Sequence, residues 1–104
     1  MSTLTTERDV LAQSVVFGDD SMTVILDDGR SISVPLTWYP RLLAGTPSER
    51  KKYELIGDGE GIHWPELDED ISVKGIVAGR RSFESDKSLS RWLEKRGKAP
   101  NRAE

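Results

Sequence analysis

The sequence predicts an α+β fold: an antiparallel sheet, made of a three-stranded meander plus a second hairpin, with two or three short helices packed on it. Three observations carry this. Between residues 14 and 36 the apolar positions recur with the period of a strand, interrupted by Gly18-Asp19-Asp20 and Asp27-Asp28-Gly29. From Thr37 the apolar period becomes helical. Residues 53–64 then alternate again on either side of a glycine-rich turn.

The first strand is Ser14-Val15-Val16-Phe17. Met22-Thr23-Val24-Ile25-Leu26 follows, with the β-branched content that suits a pleated surface. Gly29 can take positive φ without a Cβ clash, so Asp27–Arg30 reads as the next turn. In Ser31-Ile32-Ser33-Val34-Pro35-Leu36 the apolar side chains share one face, and Pro35 places this strand at a sheet edge or its end. Thr37 can cap a short helix with Pro40 in its first turn, where a missing N–H costs nothing, and Trp38, Tyr39, Leu42 and Leu43 would form its apolar stripe. Gly45 ends it. Thr46-Pro47-Ser48-Glu49 has the spacing of a capping box at the start of a second short helix.

Tyr53-Glu54-Leu55-Ile56 and Ile62-His63-Trp64 read as the second hairpin, joined by a flexible turn at Gly57–Gly61 and stopped by Pro65. Beyond Leu67, Asp70 or Ser72 can cap a helix carrying Val73, Ile76 and Val77, with Gly79 as its stop. A strand over Ile71–Val73 is the other reading. Gly75 weakens such a helix by roughly 0.5–1 kcal/mol relative to alanine, which suggests close packing of another backbone there. Ser88 can cap a last helix over residues 89–96, stopped by Gly97. The organisation expected is a flexible lead-in over 1–12, an α+β domain over 13–81, an amphipathic C-terminal helix over 82–97 and a disordered tail over 98–104.

Composition narrows the chemistry. The chain has 104 residues, 36% of them hydrophobic and 32% charged, which suits one small domain. Cysteine is absent, so disulfides, thiolate zinc sites and cysteine nucleophiles are excluded. No run of about 18 apolar residues exists to span a membrane as a helix, and acidic Glu7 and Asp9 argue against a secretory signal. A cytoplasmic location is expected. The net charge of −3 is uneven: residues 1–73 hold six basic and fourteen acidic side chains, residues 74–104 nine basic and four acidic. Such a basic C-terminal segment can meet an acidic protein surface or nucleic-acid phosphate.

The densest stretch is residues 61–79, which contains the only histidine, His63, near Glu66, Asp68, Glu69 and Asp70. A histidine oriented by a carboxylate can act as a general base, and a histidine with two acids can hold an oxygen-preferring metal. No second histidine exists to complete a zinc site, and no serine stands on a strained elbow to serve as nucleophile. The simpler reading places His63 on a strand and uses Asp68 and Asp70 at the start of the following helix, where acids are worth roughly 0.3–1 kcal/mol each. Gly57, Gly59 and Gly61 miss the spacing of a phosphate loop and lead into a strand. Trp38, Tyr39, Trp64 and Trp92 suit a core, although Trp38-Tyr39-Pro40-Arg41 also has the composition of a binding hot spot. The C-terminal helix has only Leu89, Trp92 and Leu93 as an apolar face, so it must dock on something to persist.

Several blocks in order carry a family resemblance: Asp28-Gly29-Arg30, Val34-Pro35-Leu36 with Trp38-Tyr39-Pro40-Arg41-Leu42, Thr46–Arg50, and Gly61-Ile62-His63-Trp64-Pro65 with Leu67–Val73 and Gly75. From about Val15 to Gly79 the chain resembles the bacterial family catalogued as domain of unknown function 2442. The resemblance implies a small α+β domain with an antiparallel sheet. Some longer relatives append a helix-turn-helix, and the stretch after Gly79 is too short for one. Many members are encoded beside a small partner in arrangements like toxin–antitoxin pairs.

The function expected is a non-enzymatic protein-interaction module, the antitoxin-like member of a two-gene pair, with a partner encoded nearby or a second copy of itself. A DNA-binding transcriptional regulator is the alternative, and a hydrolase or metal-dependent enzyme centred on His63 is the third reading. No catalytic, cofactor-binding or metal-ligating residue is assigned. The expected interaction surface comprises Trp38, Tyr39, Arg41, His63, Trp64, Asp68, Asp70 and Trp92.

Overall fold

Hydrophobic alternation turns residues 12–35 into the expected meander. The computed structural model of the chain describes residues 10–97, so the expected tail over 98–104 and most of the lead-in lie outside the described residues. β1 (Ala12–Phe17), β2 (Ser21–Leu26) and β3 (Ser31–Pro35) form an antiparallel sheet in that order. Met22, Val24 and Leu26 point into the core, whereas Thr23 and Ser33 meet on the opposite face at 2.6 Å. The β2–β3 turn uses Gly29 at φ 97°, as the sequence requires.

The second hairpin gains a third strand. β4 (Glu54–Ile56), β5 (Gly61–Trp64) and β6 (Glu69–Ser72) form a separate antiparallel sheet in that order. The segment expected to begin a helix at Asp70 is instead a strand as far as Ser72, and Ser72 then caps α3 (Val73–Val77), accepting from the Gly75 N–H at 3.1 Å. The helix capped by Ser72 therefore forms as read, and the alternative strand is present but ends at Ser72, with Val73 already helical. Gly79, at φ 80°, closes α3: Arg80 N–H donates to the Gly75 carbonyl and Gly79 N–H to that of Ile76, which satisfies its last carbonyls. Nothing but Ser72 approaches Gly75: an added Cβ would meet only that side chain, at 3.7 Å and 3.8 Å, so no foreign backbone packs there. The close backbone approach is at Gly59, where a Cβ would fall 2.4 Å from the Ala12 carbonyl oxygen. The glycine-rich turn is thus a packed 3₁₀ turn against β1, not a flexible one.

α1 (Pro40–Ala44) and α2 (Pro47–Lys51) follow the first sheet. Thr37 does not cap α1; it sits in a 3₁₀ turn over Leu36–Trp38, and Tyr39 holds the cap position. Leu42 is buried, but Leu43 is exposed, so the stripe is narrower than the sequence suggested. The capping box of α2 forms as read, with Glu49 N–H donating to Thr46 Oγ1 and Thr46 N–H to Glu49 Oε1. α4 (Asp86–Lys95) starts earlier than expected because Ser85, not Ser88, caps it.

Trp64 joins the two sheets. It is fully buried, lies 6.4 Å from Phe17 of β1 in an edge-on arrangement and 6.4 Å from Tyr53, and donates Nε1–H to the Arg50 carbonyl at 3.0 Å. An indole with a satisfied N–H is a large apolar contribution with no polar penalty. Among the described residues no helix is long and apolar enough to cross a membrane.

Candidate functional site

The register of the second sheet brings His63 and Asp70 together. His63 faces Glu54 on β4 and Asp70 on β6, so three titratable side chains form one row on the face away from the core. His63 Nδ1 meets Asp70 Oδ1 at 2.6 Å, with the Asp70 side chain 69% exposed. Asp70 therefore pairs with a histidine across strands and does not cap a helix. Ser72, the nearest hydroxyl along β6, is turned into its cap on α3. Catalysis through His63 needs a nucleophile or a water held beside the imidazole. Among the described residues, no group of three or more His, Asp or Glu side chains is arranged to hold a metal ion.

A second cluster surrounds Trp92. The Arg41 guanidinium forks onto Glu84, with Nη2 at 2.6 Å from Oε2 and Nε at 3.0 Å from Oε1, and its Nη1 donates to the Asp68 carbonyl at 2.8 Å. Its carbon lies 5.1 Å from the Trp92 ring centre, and that of Arg96 lies 4.7 Å away. Arg96 also pairs with Glu49 at 3.0 Å and donates to the Glu66 carbonyl. The fork to Glu84 holds the Arg41 pKa above its ordinary value. Burial pushes the Glu84 carboxyl up, but hydrogen bonds from Arg41 and Ser88 outweigh it and keep its pKa below the usual carboxylate range. This cluster docks the C-terminal helix on the domain. Asp68, at φ 53°, belongs to the turn between β5 and β6, where an aspartate tolerates the left-handed region.

Between β6 and the segment after α3 runs a groove of about 250 Å³, lined by Tyr39, Glu69–Ser72, Gly75 and residues 80–83. The segment is tied down: Tyr39 Oη donates to the Arg80 carbonyl at 2.8 Å, and Ser82 N–H donates to the Trp38 carbonyl at 3.0 Å. Arg81 stacks over Trp38 at 4.6 Å. Phe83, at the rim, is 89% exposed. Glu69 is half-buried beside Tyr39 and Arg41, and burial raises its pKa against the opposing pull of the Asp70 N–H and of Arg41. Burial also raises the Tyr39 pKa, with Glu69 adding to it.

Of the expected surface, Trp38, His63, Asp68 and Asp70 reach solvent. Tyr39, Trp64 and Trp92 are core, and Arg41 is largely covered. The indoles lie inside because so short a chain has little other apolar area for a core. Sequence reasoning missed Glu69, Glu84 and Phe83 as members of one region. An isolated phenylalanine in the polar run after Gly79 was the legible sign; nothing local marked Glu84 as the partner of Arg41.

The family model described as "Protein of unknown function (DUF2442)" matches residues 12–82, and the chain belongs to that family. No curated protein matches at a significant level. A crystal structure of a protein of unknown function from Rhodospirillum rubrum is similar at a TM-score of 0.65 and 24% identity, covering 74% of this chain and 95% of that one. A solution structure of an uncharacterized protein from Chromobacterium violaceum is similar at a TM-score of 0.62 and 25% identity, covering 90% of this chain and 82% of that one. Both share the fold and neither name carries an activity.

Proposed function

We propose that this protein is a non-enzymatic protein-interaction module. The observation that carries the reading is Phe83, exposed to 89% on a segment anchored to the Tyr39 and Trp38 region. A free loop would let such a ring fold back on apolar neighbours; here the backbone holds it outward. Covering an aromatic side chain is worth roughly 1.5–3 kcal/mol, enough to mark a contact point for a partner. Trp38 under Arg81 and the rim of the β6 groove extend the same surface. The antitoxin-like role in a two-gene pair rests on the family resemblance. The DNA-binding reading loses Arg96, whose charge is paired with Glu49.

Tagged protein produced in its native host should co-purify with one stoichiometric partner, and Phe83→Ala should lose that partner at an unchanged Tm. Absence of a stoichiometric partner, or equal recovery by the variant, overturns the proposal.

A further inference from the structure

The free edge of β6 opens into the groove. Val73 N–H donates to the Glu60 carbonyl at 3.0 Å and so continues the β5–β6 ladder. Hydrogen-bonded pairs alternate along an antiparallel ladder. Ile62 with Ile71 and Trp64 with Glu69 are therefore the bonded pairs, and Asp70 and Ser72 turn their backbone groups away from β5. The Ser72 carbonyl stands at the cap of α3. The Asp70 carbonyl and the Ser72 N–H face the groove, one acceptor and one donor two residues apart, as an added strand requires.

Gly75 supplies an independent reason to see a ligand here. A glycine inside a helix weakens it, and the fold itself has room for a Cβ at this position. Gly75 is buried, and without a side chain it lines the end of the groove. Along β6 the groove is acidic through Glu69, the Asp70 carboxylate being turned to His63 on the other face, while Arg80 and Arg81 stand on the far wall. Arg41, the nearest cation to Glu69, is already forked onto Glu84.

We infer that the β6 edge seats an extended peptide segment of the partner protein, added as a fourth strand to the β4–β5–β6 sheet, with a basic side chain over Glu69 and its backbone against Gly75. This rests on the interaction-module reading and names the site and the partner chemistry for it. The occupant is a single extended segment lying between β6 and the wall at residues 80–83, which is tied down through Tyr39 and Trp38. Phe83 at the rim then covers one of the outward side chains of the segment.

A random linear peptide library displayed on phage and panned on the full chain tests this. Enriched peptides should share alternating β-branched residues around one lysine or arginine. N-methylation of alternate backbone nitrogens should abolish binding along one edge of the synthetic peptide and leave it intact along the other. Glu69→Gln keeps an acceptor for the Asp70 N–H but removes the charge, and should weaken the peptide about tenfold or more, as loss of one partner of a half-buried charge pair does. Gly75→Ala should weaken it without lowering Tm. No enrichment, or enriched peptides indifferent to N-methylation and to Glu69→Gln, overturns the inference. A partner that still co-purifies through Phe83 in that case leaves the module reading standing.

Discussion

Arg41 and Glu84 close the C-terminal third of the chain onto the domain. Nη2 stands 2.6 Å from Oε2, the two side chains are 17% and 11% exposed, and the same guanidinium reaches the Asp68 carbonyl and the Trp92 ring. One planar fork thereby fixes α1, the β5–β6 turn and the approach to α4. Lysine has no such fork, so it cannot replace it.

Arg41→Ala should cost about 2–4 kcal/mol, because it leaves the covered Glu84 carboxylate without its cation. Glu84→Gln should cost less, and the double variant should fall short of the sum of the single ones. Denaturant unfolding of the four proteins checks this. Additive losses would mean that the pair is not coupled.

How far the sequence specified this follows from the range of each signal. The meander was legible because alternation and a glycine turn are local, and the Thr46–Glu49 capping box because its partners lie three residues apart. The Ser72–Gly79 helix was legible for the same reason. β6 was obscured because Asp70 and Ser72 are as good at capping as at facing solvent on a strand. Arg41 and Glu84 are 43 residues apart, and no local pattern joins them. Trp92 was read correctly as needing a dock; that two arginines form it could not be read from a helix face.

Glu69 carries a pH signature. Burial raises its folded pKa above the ordinary 4.5. Between those two values the folded state holds the proton more tightly than the unfolded one, so stability on this account rises as pH falls. Glu69→Gln should therefore be more stable than the parent at neutral pH and lose that advantage towards pH 4.5. Glu84 has the opposite sign, since its contribution is present above the unfolded value and is lost as pH falls through its lowered folded pKa. Thermal unfolding of parent and variant across this range checks the difference. A constant gap between them would mean that Glu69 is not desolvated.

The two informative glycines should respond in opposite ways. Gly75→Ala adds a Cβ where only Ser72 is near, at 3.7 Å, and should stabilise the protein by about 0.5–1 kcal/mol. Gly59→Ala puts a Cβ 2.4 Å from the Ala12 carbonyl oxygen at φ 111°, where backbone must move. A loss of about 2–4 kcal/mol is expected from strain plus separation of the turn from β1. Their Tm values should lie on either side of the parent. Destabilisation by Gly75→Ala would show that the fold itself needs the glycine, and would remove the argument that the groove does.

His63 is the residue on which an enzymatic and a structural reading differ most. Its contact with Asp70 is short, but the carboxylate is largely in water, where ion pairs are worth about 0–1 kcal/mol. His63→Ala and Asp70→Ala should each change stability by less than about 1 kcal/mol, because the cross-strand ladder and the Trp64 core beneath them are untouched. In the interaction-module reading, His63→Ala should also retain the stoichiometric partner, since the imidazole lies outside the groove along β6. A phenotype abolished by His63→Ala at an unchanged Tm, with the partner still bound, would require chemistry at the imidazole. Glu54, facing His63 from β4, would then be the next carboxylate to remove.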